Sequence, residues 1–231
     1  MMAASKRAQV AVNDLLGQLA GGTMAPGERL PTEPELSEHY GMSRSAIREA
    51  MHTLAAKGFV RVRQGSGTTI SPREEWNELD PDYVAIAHGV AIYGHLMDAR
   101  EALEPVIAAI AAERIGAEQV DALRATIARM REVGSADAEA HADADIEFHD
   151  TIARASGNPV LVAMHASLMQ LGKRSRSRSV TVEGAVDRAV EWHEHILEAL
   201  AAHDPGAASA AMRLHLRQVR TELEALGDEL G

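Results

Sequence analysis

The chain contains no cysteine among its 231 residues, so disulfides and thiolate metal sites are excluded and no redox compartment is marked. Aromatic residues make up only 3% of it. No apolar run approaches the roughly 20 residues that cross a bilayer as a helix. The opening Met-Met-Ala-Ala-Ser-Lys-Arg is not followed by the apolar stretch of a signal peptide. These absences lead to the expectation of a soluble, cytoplasmic protein with no membrane partner. Positive charge is also scarce, with 23 Lys and Arg against 34 Asp and Glu and a net charge of −11. What the chain does have is length enough for two domains of ordinary size.

The segment from Leu30 to Ala50 writes two short capped helices around a glycine turn. Thr32 with Glu35 forms a capping box, Leu36 and Tyr40 supply an apolar edge, and Gly41 permits the left-handed backbone that stops the first helix. Ser43 caps the second, in which Ile47, Ala50, Met51 and Leu54 recur at helical spacing. Arg44, Ser45 and Arg48 therefore fall away from the core near the helix N-terminus, the end by which a recognition helix touches DNA. The following stretch, Gly58 to Ile70, alternates apolar with polar residues around a glycine-rich tip and predicts a β-hairpin, the wing. Alternation assigns Phe59, Val60 and Val62 to packing and Arg61 and Arg63 to solvent or phosphate, while Gly65 and Gly67 let the tip approach a narrow groove. A helix pair alone is weak evidence. Helix pair, arginines and basic wing in this order are strong.

Residues 10 to 70 resemble the DNA-binding domain of the GntR family of bacterial transcription regulators. The resemblance rests on Pro26-Gly-Glu-Arg-Leu-Pro31, Glu33, Leu36, Gly41, Ser43-Arg44, Ile47-Arg-Glu-Ala50, Leu54, Gly58 and Gly65-x-Gly-Thr68. It implies that Ser43, Arg44, Arg48 and the wing glycine Gly65 contact double-stranded operator DNA. Pro34 stands where many members carry an arginine that also reaches DNA, so operator preference is expected to differ accordingly.

The acidic net charge conflicts with DNA binding only until it is divided. Residues 1–72 hold eight Lys and Arg against six Asp and Glu, a balance of +2, whereas residues 73–231 hold 15 against 28, a balance of −13. Phosphates sense charge within a Debye length of about 8 Å, so a distant acidic domain coexists with specific binding and discourages nonspecific binding.

Residues 71–88, which include two prolines and clustered acids, read as a linker between a DNA-binding domain at 1–70 and a second domain at 89–228. Trp76 and Leu79 are expected to pin it to a domain, the alternative being a lever for an effector signal. From Val84 onward the chain is alanine-rich and helical in period. Helices are expected at about 84–94, 95–115, 117–132, 136–155, 158–173, 183–203 and 205–227, packed as an antiparallel bundle. The run Arg174-Ser-Arg-Ser-Arg-Ser179 reads as a solvated loop, with an arginine reaching into a ligand pocket or incidental nucleic-acid contact as alternatives. The fold class is thus mainly α.

Three histidines of the second half sit on inward-facing stripes of three different helices. His149 lies one turn after Asp145 and shares its face with Phe148, Ile152 and Ala153; His193 lies in the stripe Val190, Ile196, Leu197 and Leu200, with His195 on the opposite side. His215 borders Met212, Leu216, Val219 and Leu223. An Asp-His-His-His set suits Zn²⁺ foremost, or Ni²⁺, Mn²⁺ or Fe²⁺, and leaves coordination positions open. Taken singly, each inward histidine reads as a hydrogen-bonded core residue, and spacing alone does not bring the three together.

Residues 90 to 225 resemble the FCD effector domain of the FadR subfamily of GntR regulators. The matching signatures are Arg100-x-x-Leu-Glu104, Asp145-x-x-Phe-His149, Gly157-Asn158-Pro159, His193 with Ile196-Leu197, and Ala211 through His215-Leu216. In metal-binding members the corresponding residues surround one ion. The resemblance therefore implies one divalent transition metal per chain on Asp145, His149, His193 and His215.

Arg100 interrupts the stripe Leu96, Leu103, Ile107 and Ile110, and a charge on a buried face needs a partner. Glu104 at i+4 is one; the carboxylate of a small effector, whose other end would sit on the metal, is the other, with Asn158 a further pocket candidate. The resulting expectation is a homodimeric transcription regulator whose operator affinity is set by a small organic acid. Trp76-Asn-x-Leu-Asp-Pro-Asp82, Leu30-Pro-Thr-Glu33 and Ala56-Lys-Gly58 resemble regulators that answer to galactonate and related sugar acids. The alternative is a metal-dependent hydrolase or lactonase fused to a DNA-binding domain. Against it, the chain has no His-Glu-x-x-His motif and no obvious general base beside the histidines.

Overall fold

The computed structural model describes residues 5–63, 67–77, 79–87 and 91–228. They form two units, Met1–Gly89 and Val90–Gly231.

The first unit begins with a helix that the sequence pattern above did not place, α1 (Lys6–Ala20), capped by Ser5 and burying Ala8, Ala11, Val12, Leu15, Leu16 and Leu19. Those positions recur every three or four residues, the spacing of one helical face. The two expected helices follow as α2 (Glu33–Tyr40) and α3 (Arg44–Ala56). Both halves of the Thr32 capping box are formed, and Gly41 ends α2 at φ 61°, a backbone conformation that other residues adopt at a cost. Ser43 Oγ accepts from the Ala46 N–H at 3.3 Å and starts α3. The wing is the antiparallel pair β1 (Val60–Arg63) and β2 (Gly67–Ile70), in register Val60 to Ile70 and Arg63 to Gly67. Phe59, Val60 and Ile70 join the core of this unit, but Val62 is 47% exposed. Alternation gave Val62 the correct face, yet the core ends one pair earlier, so that face looks out on water.

The segment read as a linker is folded into this unit over residues 71–77 and 79–87. Trp76 and Tyr83 pack with Phe59, at ring-centroid separations of 5.7 and 5.0 Å, and the Trp76 indole N–H donates to the Ser71 carbonyl at 2.9 Å. Lys57 Nζ lies 2.8 Å from both Asp80 and Asp82. A short helix, α4 (Pro81–Ala87), then lies against α1. Trp76 is the pin; Leu79 is 59% exposed and is not.

The second unit is six helices joined by loops of three to five residues: α5 (Ala91–Ala112), α6 (Ala117–Val133), α7 (Ala138–Ala155), α8 (Pro159–Ser179), α9 (Ala185–Ala201) and α10 (Pro205–Asp228). Helix α5 packs on α7, α8 and α10, and α9 on α6 and α10. Phe148, Leu123, Met130, Ile152 and Leu216 are among the residues that fill the space between them. Two boundaries differ from expectation. The break expected at residue 94 is absent, because a helix tolerates Gly94 for about 1 kcal/mol; residues 88–90 lie outside the described residues. The Arg-Ser run is no solvated loop: it forms the last turns of α8, where Arg176 is 4% exposed. No helix among the described residues is long and apolar enough to cross a membrane.

Candidate functional site

On the first unit, Ser43, Arg44, Ser45 and Arg48 are exposed together at the start of α3. Arg48 Nη2 lies 3.0 Å from Glu33 Oε2, an ion pair at the surface. Such an exposed pair is weak and exchanges readily for a phosphate or a base edge. On the wing, Arg61 is paired with Glu75 and Arg63 is exposed. Gly65 lies outside the described residues.

On the second unit, three helices bring titratable side chains to one buried spot. Helix α7 contributes His141, Asp145 and His149 at successive i+4 positions, α9 contributes His193 and α10 contributes His215, all buried. A candidate ligand atom from each of Asp145, His149, His193 and His215 lies within 4.8 Å of the others. Asp145 Oδ1 is 3.4 Å from His193 Nε2 and 3.8 Å from His149 Nε2. The His193 and His215 rings are 4.5 Å apart between centroids. Three of the four inward-facing groups read from sequence were helix-stripe inferences, and packing now puts them face to face. His195, by contrast, has a side chain 51% exposed.

The electrostatics of this cluster favour a cation. Burial opposes ionisation of Asp145, but the neighbouring His149 and the Arg176 guanidinium outweigh it and hold its carboxyl well below the usual range. Burial pushes His193 down to about 3 and holds His215 well below the ordinary imidazole value, so both rings are neutral at pH 7 and each presents a lone pair. His149 Nε2 and both ring nitrogens of His193 and His215 are buried with no hydrogen-bond partner among the described residues. A buried polar atom left unpaired costs about 1–3 kcal/mol. Several of them converging on one carboxylate oxygen fit a divalent ion that takes one nitrogen from each ring. A second grouping, Glu104, His149 and His165, shares His149. It fits less well, because its members already have partners: Arg100 Nε donates to Glu104 Oε1 at 2.6 Å, and His165 Nδ1 lies 3.1 Å from Asp150 Oδ1.

Beside the cluster is a small cavity lined by Arg100, His141, Asp145, Arg176, His215 and Glu222, among others. Arg100 is 2% exposed and is paired with Glu104, the nearer of its two expected partners, while still lining this cavity. Glu104 Oε2 in turn lies 2.9 Å from His149 Nδ1. Asn158 is not brought here. Its Oδ1 accepts from the Val160 and Leu161 N–H groups at 3.0 and 3.3 Å, so it caps the start of α8. His141 went unassigned in the sequence, and Arg176 was covered only by the alternative that an arginine of the 174–179 run reaches into a ligand pocket, which is where it lies. His141 stands four residues before Asp145, and Arg176 stands seven after the buried Met169, so helical spacing carried a signal for both.

The chain matches the gntR family of bacterial regulatory proteins over residues 7–70 and the FCD domain over residues 95–218. It belongs to the GntR family. The HTH-type transcriptional regulator LutR of Bacillus subtilis is 31% identical over 91% of this chain and 98% of its own length. The galactonate operon transcriptional repressor of Escherichia coli is 28% identical over 84% of this chain and 86% of its own. Among solved structures, Streptococcus agalactiae GntR is 31% identical, with a TM-score of 0.52 over 93% of this chain and 99% of that one. Lar of Listeria monocytogenes, at 21% identity, shares the fold with a TM-score of 0.66 over 98% and 100%. These relatives are regulators, and nothing in them supports the hydrolase alternative. The regulator therefore binds DNA through its winged helix and carries an FCD domain as its second unit.

Proposed function

We propose that the regulator binds a small organic acid, such as the sugar acid galactonate, at one divalent cation per chain held by Asp145, His149, His193 and His215, and that this binding sets its affinity for an operator. The observation that carries the reading is the set of unpaired buried imidazole nitrogens around Asp145, beside an arginine-lined cavity. A bound cation there supplies a Lewis-acid centre with positions open to a carboxylate and a neighbouring hydroxyl. Zn²⁺ suits the nitrogen-rich donor set first, then Ni²⁺, Mn²⁺ and Fe²⁺. Arg100 offers the guanidinium that orients the acid, and Glu104 holds both Arg100 and the far nitrogen of His149, so the acid-binding and metal-binding residues are joined by one side chain. The name of the galactonate operon repressor supports an aldonic acid as the effector class.

On the DNA side, Ser43, Arg44, Ser45 and Arg48 at the start of α3, with Gly65 of the wing, would read one half-site in the cytoplasm. A palindromic operator presents two, which calls for a homodimer. By linkage, an acid that weakens operator binding by some factor must itself bind more weakly to the operator complex by that same factor. The test is a gel shift on a duplex selected by the protein from random sequence, with metal-loaded protein and with or without galactonate, repeated with Arg100→Ala. The variant should keep its metal and lose about 1.5–3 kcal/mol of acid affinity, the worth of a hydrogen bond to a charged group. Operator affinity that no acid alters, with metal present, would overturn the effector reading.

A further inference from the structure

Arg176 plays no part in the reading above, yet it lines the cavity beside the cluster. Its Nε donates to Asp145 Oδ2 at 2.6 Å, on the side of the carboxylate away from the imidazoles, which face Oδ1. Its Nη2 contacts Met169 Sδ at 2.9 Å, and its Nη1 is buried with no hydrogen-bond partner among the described residues. The residue is 4% exposed and lines the same cavity as Arg100. One edge of the guanidinium thus fixes Asp145 so that a single oxygen points at the histidines, while the other edge keeps a donor unspent.

Charge balance says what that donor is for. Among the described residues of this unit the buried carboxylates are Glu104, Asp145 and Glu222, and the guanidinium groups that meet them are Arg100, Arg176 and Arg188. They neutralise one another. A divalent cation added beside Asp145, whose charge is already met by Arg176, leaves two positive charges uncompensated in a buried place, and such charge demands counter-charge. One carboxylate supplies half of it.

We propose that Arg176 is a second anion anchor in the cavity that Arg100 also lines, and that the metal-loaded site selects a hydroxylated acid carrying two anionic ends. The inference rests on the metal and effector reading above and narrows its ligand from an aldonic to an aldaric type of acid. Galactonate and galactarate are the probes, since they share one polyol chain and differ only in whether the far end is a hydroxymethyl group or a carboxylate.

Isothermal titration of the full-length zinc-loaded protein should give galactarate an affinity about tenfold or more above that of galactonate, as one added charge-assisted hydrogen-bonded pair provides. The metal-free protein should show no such preference. Arg176→Gln should keep one metal per chain by elemental analysis and bind the two acids equally, whereas Lys173→Ala, which removes an exposed charge from the same helix, should retain the preference. Arg176→Lys keeps Asp145 a charged neighbour should the glutamine variant fold poorly, and it too should lose most of the preference, because an ammonium cannot serve both partners with a rigid fork. Equal affinities in the wild type, or a preference that survives in Arg176→Gln with its metal, overturn the proposal while leaving the effector reading standing. A wild type that holds no metal or binds neither acid sinks both.

Discussion

Replacing His193 by alanine is the perturbation that most directly separates a metal centre from a cluster of core histidines. The side chain is fully buried on α9, and neither nitrogen has a hydrogen-bond partner among the described residues. As a core residue it would cost about 2–5 kcal/mol on truncation, the range of large-to-small changes, offset by about 1–3 kcal/mol for each unpaired polar atom removed. The two terms nearly cancel, so the metal-free variant should unfold close to the metal-free wild type. With metal the outcome differs. A structural zinc site is worth about 10–16 kcal/mol, so one ligand in four carries roughly 3–4 kcal/mol, or two to three orders of magnitude in affinity. Zinc held at a thousand times its dissociation constant stabilises the wild type by about 4 kcal/mol. For a unit of this size that is a rise in Tm of roughly 8–16 °C. His193→Ala should lose most of that rise and most of its bound metal, and His195→Ala, two residues on and exposed, should keep both. Thermal scans with and without zinc, paired with elemental analysis, read the contrast. Equal metal content in the two variants would refute the shared site and return the histidines to the core.

Arg44→Ala or Arg48→Ala should each weaken operator binding by about 1–3 kcal/mol with unchanged melting, since both side chains are exposed at the start of α3; unaltered gel-shift affinity in both would contradict the interface. Light scattering at micromolar concentration should give a dimer, and a monomer both free and on DNA would defeat the palindromic reading. Stability of the metal-free protein should fall with acid. Burial holds His193 at about 3, so as pH drops below roughly 6.5 the unfolded chain takes up a proton that the folded ring refuses, and stability declines by up to about 1.4 kcal/mol per pH unit across that window. Asp145, kept ionised in the fold, adds to the loss below about pH 4. Urea titrations of chelated protein between pH 7 and 4 measure this, and a flat profile would contradict neutral buried imidazoles.

Local chemistry alone determined much of this regulator. The Thr32 and Ser43 caps, the left-handed Gly41 and the i, i+4 spacing of Asp145 and His149 act within a few residues of chain, so they are legible in order along it and hold in the fold. The same logic put His193 inward and His195 outward. Other features depend on partners far away in sequence, and local pattern misread them. The acids and prolines after Ser71 looked like a spacer, but Lys57 and Phe59 give Asp80, Trp76 and Tyr83 something to pair with and pack on. Arg176 looked solvated within a run of arginines and serines. Its fate was decided by Asp145, 31 residues away, which supplies the buried counter-charge that makes burying a guanidinium tolerable. Asn158 went the other way, since the backbone N–H groups at the start of α8 were nearer than any ligand. Sequence periodicity tells which face a side chain takes; only the packing of α5, α7, α8, α9 and α10 decided which charges meet there, because a buried charge is stable only where another element delivers its partner.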